Sequence, residues 1–184
     1  MTVLERQVTT AEFETFLQRP ENQERLFELI HGEIVEKMAT EEHGVIALNI
    51  GALLRAFVKQ QNLGRVGVEI RHQLPKDHYN ARLPDVSFIS GARPVTRKGG
   101  LPQMPDLAVE VQSPDDSIKK MRDQASYYLA NGCRMVWLVF PAKRYVEVYQ
   151  LDSEMEVMLG NDLLDGGDVL PGFTMSVTDV FDGI

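Results

Sequence analysis

The longest uninterrupted apolar run in this chain, MVWLVF at 135–140, is six residues long. A membrane-spanning helix needs about 20. The run therefore suits a buried strand, and no membrane partner is expected. The opening stretch, MTVLERQVTTAEFETFLQRPENQ, lacks the apolar core of a secretory signal. Cys133 is the single cysteine. It cannot close an internal disulfide, which suits a reducing compartment, so a cytoplasmic location is expected. At 184 residues, 43% hydrophobic and 25% charged, the chain can close one sizeable core without staples and has little room for a second. A single domain over 1–184 is the expectation.

Local signals divide the chain into helices and strands. Thr9, with Glu12 three residues on, forms a capping box for a helix that stops before Pro20. LFELI and EIVEKM flank His31-Gly32 and read as a hairpin, because Gly supplies the positive φ of a two-residue turn. Thr40 caps the longest helix, in which Val45, Ile46, Leu53, Leu54, Phe57 and Val58 recur at helical spacing before Asn62 to Gly64 end it. RVGVEIRHQL, PDVSFIS and PDLAVEVQS follow as strands ordered as consecutive sheet members. A third helix runs from the Ser113–Ser117 segment to Asn131-Gly132, and CRMVWLVF and YVEVYQL are strands joined at Pro141. The tail reads as strand and loop. Three helices and about seven strands, with the long helix inside the strand series, predict an α/β fold with a mixed sheet and flanking helices.

Charge is unevenly spread. The net charge is -8, yet residues 145–184 carry nine acids and no Lys or Arg, which leaves the rest of the chain close to neutral. Between Arg65 and Lys98, seven bases (Arg65, Arg71, Lys76, Arg82, Arg93, Arg97, Lys98) accompany three acids. Such a segment can meet a polyanion, and it equally suits an ordinary solvated surface.

Several chemistries drop out. There is no Gly-rich phosphate loop, no GxSxG and no HExxH, and the four His (His31, His43, His72, His78) lack metal-ligand spacing. Cys133 sits in a strand signal without a basic neighbourhood and reads as a small hydrophobe. What remains are carboxylates inside apolar strands, where a charge needs a partner or a metal. In DLAVEVQS, Leu107, Val109 and Val111 alternate to one face and Asp106, Ala108, Glu110 and Gln112 to the other. Asp85 repeats the arrangement in PDVSFIS, and Glu28 is the acid at the centre of LFELI. Asp106 and Glu110 are about 13 Å apart on one extended strand, too far for a single ion, whereas strands about 4.8 Å apart let Asp85 and Glu110 share a hard cation. Mg²⁺ takes one or two carboxylates and keeps waters and room for a substrate phosphate. Mn²⁺ is the alternative ion. Each acid could instead sit at a solvated strand end.

Pro84-Asp85 followed 25 residues later by Glu110-Val111-Gln112 is similar to the PD-(D/E)XK nuclease motif. FELIHGEIVEKM, EEHGVIALNIGALLRAFV, PDVSFIS, PDLAVEVQSPDDS, YYLANGCRMVWLVFP and GGDVLPGF resemble, in order, the Uma family of restriction-endonuclease-like proteins. The resemblance covers nearly the whole chain. It implies a restriction endonuclease-like core with the long helix on one sheet face, Asp85 and Glu110 as metal ligands, Glu28 contributing from the hairpin, DNA as substrate and a homodimer. His43 matches a histidine at the start of that family's long helix; it either contacts substrate or tunes a neighbour, or is a partly exposed capping-turn residue.

The pattern departs at the motif lysine. Position 112 is Gln112, and the family's usual substitute, a helical lysine four residues before the tyrosine that is Tyr128 here, is Gln124. Lys120, one turn earlier, could deliver an ammonium from a shifted origin, while Lys119, Lys120 and Arg122 also suit an exposed helix face. The implied activity is Mg²⁺-dependent endonucleolytic hydrolysis of DNA, with Asp85, Glu110 and the Val111 carbonyl at the ion and Gln112 orienting a water without supplying positive charge. Two other classes stay open: a metal- or nucleic-acid-binding module that has lost catalysis, and an interaction domain that binds a basic partner through its acidic segment.

Overall fold

Helix α1 (Thr10–Leu17) begins where the Thr9 side chain accepts from the Glu12 N–H and Glu12 reaches back to the Thr9 N–H, and it ends ahead of Pro20. Its Phe13 is buried with Phe27, Leu29 and Ala81. Strands β1 (Leu26–Ile30) and β2 (Glu33–Lys37) pair antiparallel across His31 and Gly32, whose φ values of 51° and 81° make the left-handed two-residue turn that matches strand twist. These elements belong to the smaller of two compact units, with residues 71–83 and 95–103. The structure is a computed structural model and describes residues 6–91 and 94–184. Two of the seven bases in the 65–98 segment are not solvated charges: Arg82 is 1% exposed, and Arg71 pairs with Glu14 at 3.0 Å. Arg93 lies outside the described residues.

The larger unit, 39–70, 84–94 and 104–184, holds the long helix and the main sheet. Thr40 Oγ1 accepts from the His43 N–H to open α2 (Glu41–Gln61), and Asn62, at φ 54°, closes it in the left-handed conformation that ends helices. There follow β3 (Gly64–Val68), β4 (Val86–Ser90), β5 (Leu107–Val111), α3 (Ile118–Ala130), β6 (Met135–Phe140), β7 (Tyr145–Gln150) and β8 (Glu156–Leu159). The six strands lie in sequence order, all pairs antiparallel except β5 with β6. A parallel pair needs a crossover, and α3 is that crossover. Glu69 takes a φ of 50°, which breaks the extended backbone and ends β3 at Val68, well short of the strand read through Leu74.

Alternation separates the two sheet faces. Ile46, Ile50, Leu54 and Val58 of α2 form one core cluster with Val86, Phe88, Leu107, Val109, Val111 and Trp137. Each such apolar side chain removed from water contributes about 1.5–3 kcal/mol. Their neighbours in sequence, Ser87, Ala108 and Glu110, therefore point to the other face. The observed mixed α/β sheet with flanking helices is the architecture expected from the sequence.

The tail adds β9 (Leu163–Asp165), β10 (Thr174–Ser176) and α4 (Val177–Val180), the last a four-residue helix too short to show periodicity and opened by a Ser176/Asp179 capping box. The C-terminal acids are partly structural. Asp162, Asp165 and Asp179 accept from the N–H groups of Leu159, Gly167 and Ser176, the usual work of Asp at turns and caps. No helix among the described residues is long and apolar enough to cross a membrane.

Candidate active site

Strand register creates an acid pair. β4 and β5 align Val86 with Val109 and Ser87 with Ala108; Asp85 stands one residue before β4 and Glu110 one residue beyond Val109 in β5, so the two acids lie at the same end of this strand pair. Both are buried, at 2% and 3% exposure. A buried carboxylate is costly without hydrogen bonds, and both have them. Asp85 Oδ2 accepts from the Val111 N–H at 2.7 Å and lies 3.1 Å from His43 Nε2. Glu110 Oε1 accepts from the Tyr128 O–H at 2.7 Å. His43 is itself buried at 6% exposure, so its imidazole is an interior group in the first turn of α2 and not an exposed capping residue.

The remaining candidates occupy different settings. Gln112 donates its side-chain N–H to the Asp116 carbonyl at 2.8 Å, which ties it to the loop after β5. Lys120 Nζ pairs with Asp116 Oδ1 at 2.5 Å and is half-exposed. Gln124 lies on the buried side of α3 with Met121, Ala125 and Tyr128, one turn before that tyrosine. Its Oε1 is buried and has no hydrogen-bond partner among the described residues. Glu28, on β1 in the smaller unit, is 2% exposed and accepts from the Leu83 N–H at 2.6 Å. Leu83 stands two residues before Asp85 in the sequence. Asp106 caps the far end of β5 by accepting from the Ser90 N–H at 2.8 Å.

A family model, Uma2, described as "Putative restriction endonuclease", matches residues 13–178. The chain belongs to this family. Among solved structures, it is similar to "a putative nuclease belonging to DUF820" from Anabaena variabilis ATCC 29413, with a TM-score of 0.78, 28% identity, and coverage of 95% of this chain and 97% of that one. No curated protein matches it. The Uma2 span contains all the candidates above, and family and fold both point to a nuclease.

In this Uma2 chain Asp85 and Glu110 are the buried carboxylates that could hold a hard divalent cation. Two oxygen donors from adjacent strands suit an ion that keeps several waters. Among the described residues, no group of three or more His, Cys, Asp or Glu side chains could hold a metal ion, so a closed four-ligand site is not what the donors form.

Two residues that shape this face escaped the sequence reading. Tyr128 entered it only as a landmark, and Glu147 only as one of the C-terminal acids. Glu147 pairs in register with Leu138, which pairs with Glu110, so it shares the acid face, and it is 1% exposed. Arg122 of α3 grips both oxygens, Nη2 to Oε1 at 2.5 Å and Nε to Oε2 at 3.1 Å, and the Tyr149 O–H donates to Oε2 at 2.7 Å. Burial alone would raise the Glu147 carboxyl, but the hydrogen bonds from Arg122 and Tyr149 and the Arg122 charge outweigh it and hold the group below the usual carboxylate range. Glu147 is thereby a clamp for α3, the helix that carries Gln124 and Tyr128. The alternation Val146-Glu147-Val148 was its available signal. Cys133 is buried, which pushes its thiol up to about 12 and removes it as a nucleophile.

Proposed function

We propose that this Uma2 chain is a divalent-cation-dependent endonuclease acting on DNA, with Asp85 and Glu110 as ligands of Mg²⁺ or Mn²⁺. The observation that supports this reading most directly is the buried cross-strand acid pair, each carboxylate oriented by its own donors, in a chain of the restriction-endonuclease-like family. A bound ion would supply a water of lowered pKa and countercharge for phosphoryl oxygens. The protein's own residues set the geometry: the Val111 N–H and His43 orient Asp85, and the Tyr128 O–H orients Glu110. Gln124 is the α3 residue suited to steady a water, because its buried Oε1 can accept an O–H. Neither Gln124 nor Gln112 carries positive charge, and the Lys120 ammonium is held by Asp116. Charge building on the phosphate is therefore the step this site supports least. A homodimer offering one site to each DNA strand completes the reading and follows from the family resemblance.

The same lack of a lysine at 112 and 124 favours a second reading, a metal- and nucleic-acid-binding module without catalysis. Incubation of supercoiled and linear DNA with the protein and Mg²⁺ or Mn²⁺ separates the two, run beside Glu110→Ala and Asp85→Asn. The nuclease reading expects metal-dependent cleavage that both substitutions abolish. Metal binding by calorimetry with intact DNA would establish the second reading instead.

A further inference from the structure

We propose that a basic cleft between the C-terminal half of α2 and β3 holds backbone phosphates of the nucleic acid, as a site separate from the acid pair. The cleft, of about 300 Å³, is lined by Arg55, Val58, Lys59, Asn62, Gly64, Arg65 and Val66. Three of these are bases and none is an acid, in a chain of net charge -8. General basicity does not explain the concentration.

Arg55, Lys59 and Arg65 are all exposed and open to a ligand from solvent. Arg55 and Lys59 stand four residues apart on one helix, where like charges repel. Among the described residues neither side chain has a carboxylate or other hydrogen-bonding partner. Lys59, in the last turn of α2, complements the exposed helix carbonyls. Arg55 lies beyond that turn, so the helix end does not account for it. Gly64, Val58 and Val66 leave the wall between the bases free of competing carboxylates.

Position supports a nucleic-acid ligand over a small anion. In the β3–β4 register Arg65 pairs with Ile89, and Asp85 lies four residues earlier in the chain, about 13 Å along an extended strand. Duplex DNA advances 3.4 Å per base pair along each strand. The cleft would thus receive a backbone phosphate a few nucleotides from the acid pair. This inference rests on nucleic acid being the substrate, but not on catalysis.

The test is fluorescence anisotropy of a labelled DNA duplex with the full chain, in EDTA so that no cleavage occurs, across a range of KCl concentrations. Arg55→Gln/Lys59→Gln is expected to lower affinity about tenfold or more and to flatten the slope of log K against log salt by about 1.8, with Arg65→Gln contributing about 0.9. The control Lys119→Gln/Lys143→Gln removes the same charge from exposed positions and should leave the slope unchanged. Equal effects of both pairs, or an unchanged slope in the cleft pair, would overturn the proposal. So would saturable displacement of the duplex by inorganic phosphate at constant ionic strength, which marks a small-anion site. Loss of cleavage in Glu110→Ala is scored separately, so either reading can fail while the other stands.

Discussion

The hydroxyl of Tyr128, a fully buried side chain on α3, donates a 2.7 Å hydrogen bond to Oε1 of Glu110 on β5. This bond orients the carboxylate that the proposed mechanism places at the metal. Tyr128→Phe keeps the ring and removes only the donor. It is expected to lower metal affinity or cleavage by about 10–100-fold, as loss of a residue supporting a metal ligand does, and to cost about 1–3 kcal/mol of stability. The Mg²⁺ dependence of cleavage and thermal unfolding check both parts. A variant with unchanged Mg²⁺ dependence would show that Tyr128 serves packing alone.

Gln124 occupies the buried α3 position one turn before Tyr128, with Oε1 lacking a partner among the described residues. Gln124→Lys would place an ammonium where the developing phosphate charge has no protein cation. A rise in single-turnover cleavage of up to about 100-fold is expected. A folded variant with no gain in rate would remove position 124 from the reacting region.

Arg122 and Glu147 lock α3 onto β7 through two hydrogen bonds. In Arg122→Met the buried Glu147 loses its countercharge, so the variant should lose more stability than Lys119→Met, which breaks an exposed pair worth about 0.2–1 kcal/mol. The sign with pH follows from the lowered Glu147 carboxyl. Its stabilisation is present above the unfolded-state value of about 4.3 and is lost as pH falls through the lower folded value. The gap in Tm between wild type and Arg122→Met is thus expected to be widest near neutrality and to close in acid. A gap independent of pH would contradict the clamp.

The Cys133 thiol, pushed up to about 12 by burial, should not react with a disulfide reagent at pH 8 in the native protein and should titrate fully in denaturant. Because the folded value lies above the unfolded 9.0, its contribution to stability is present below pH 9 and declines as pH rises toward 12. Rapid native labelling at pH 8 would be the contrary result.

Much of both units was legible from the sequence because the signals are local. Thr9 with Glu12 and Thr40 before His43 cap helices through contacts three residues apart, and the alternation in Leu107–Val111 names its buried face without reference to any other strand. The place of Glu110 in an apolar strand, and of Asp85 at the start of another, could likewise be read from one segment each. The end of β3 could not, since nothing in RVGVEIRHQL announces the positive φ at Glu69.

Sequence alone determined where α1 and α2 are capped, which strand faces are apolar, and which acids sit among hydrophobic neighbours. Only the tertiary structure decided that Val111 and His43 meet Asp85, that Tyr128 holds Glu110, that Glu147 is clamped by Arg122, and that Arg55, Lys59 and Arg65 line one cleft. The physical reason is range. Capping and alternation depend on neighbours within a few residues, whereas these pairs are joined by strand register and helix packing, which emerge from the summed contacts of segments far apart in the chain.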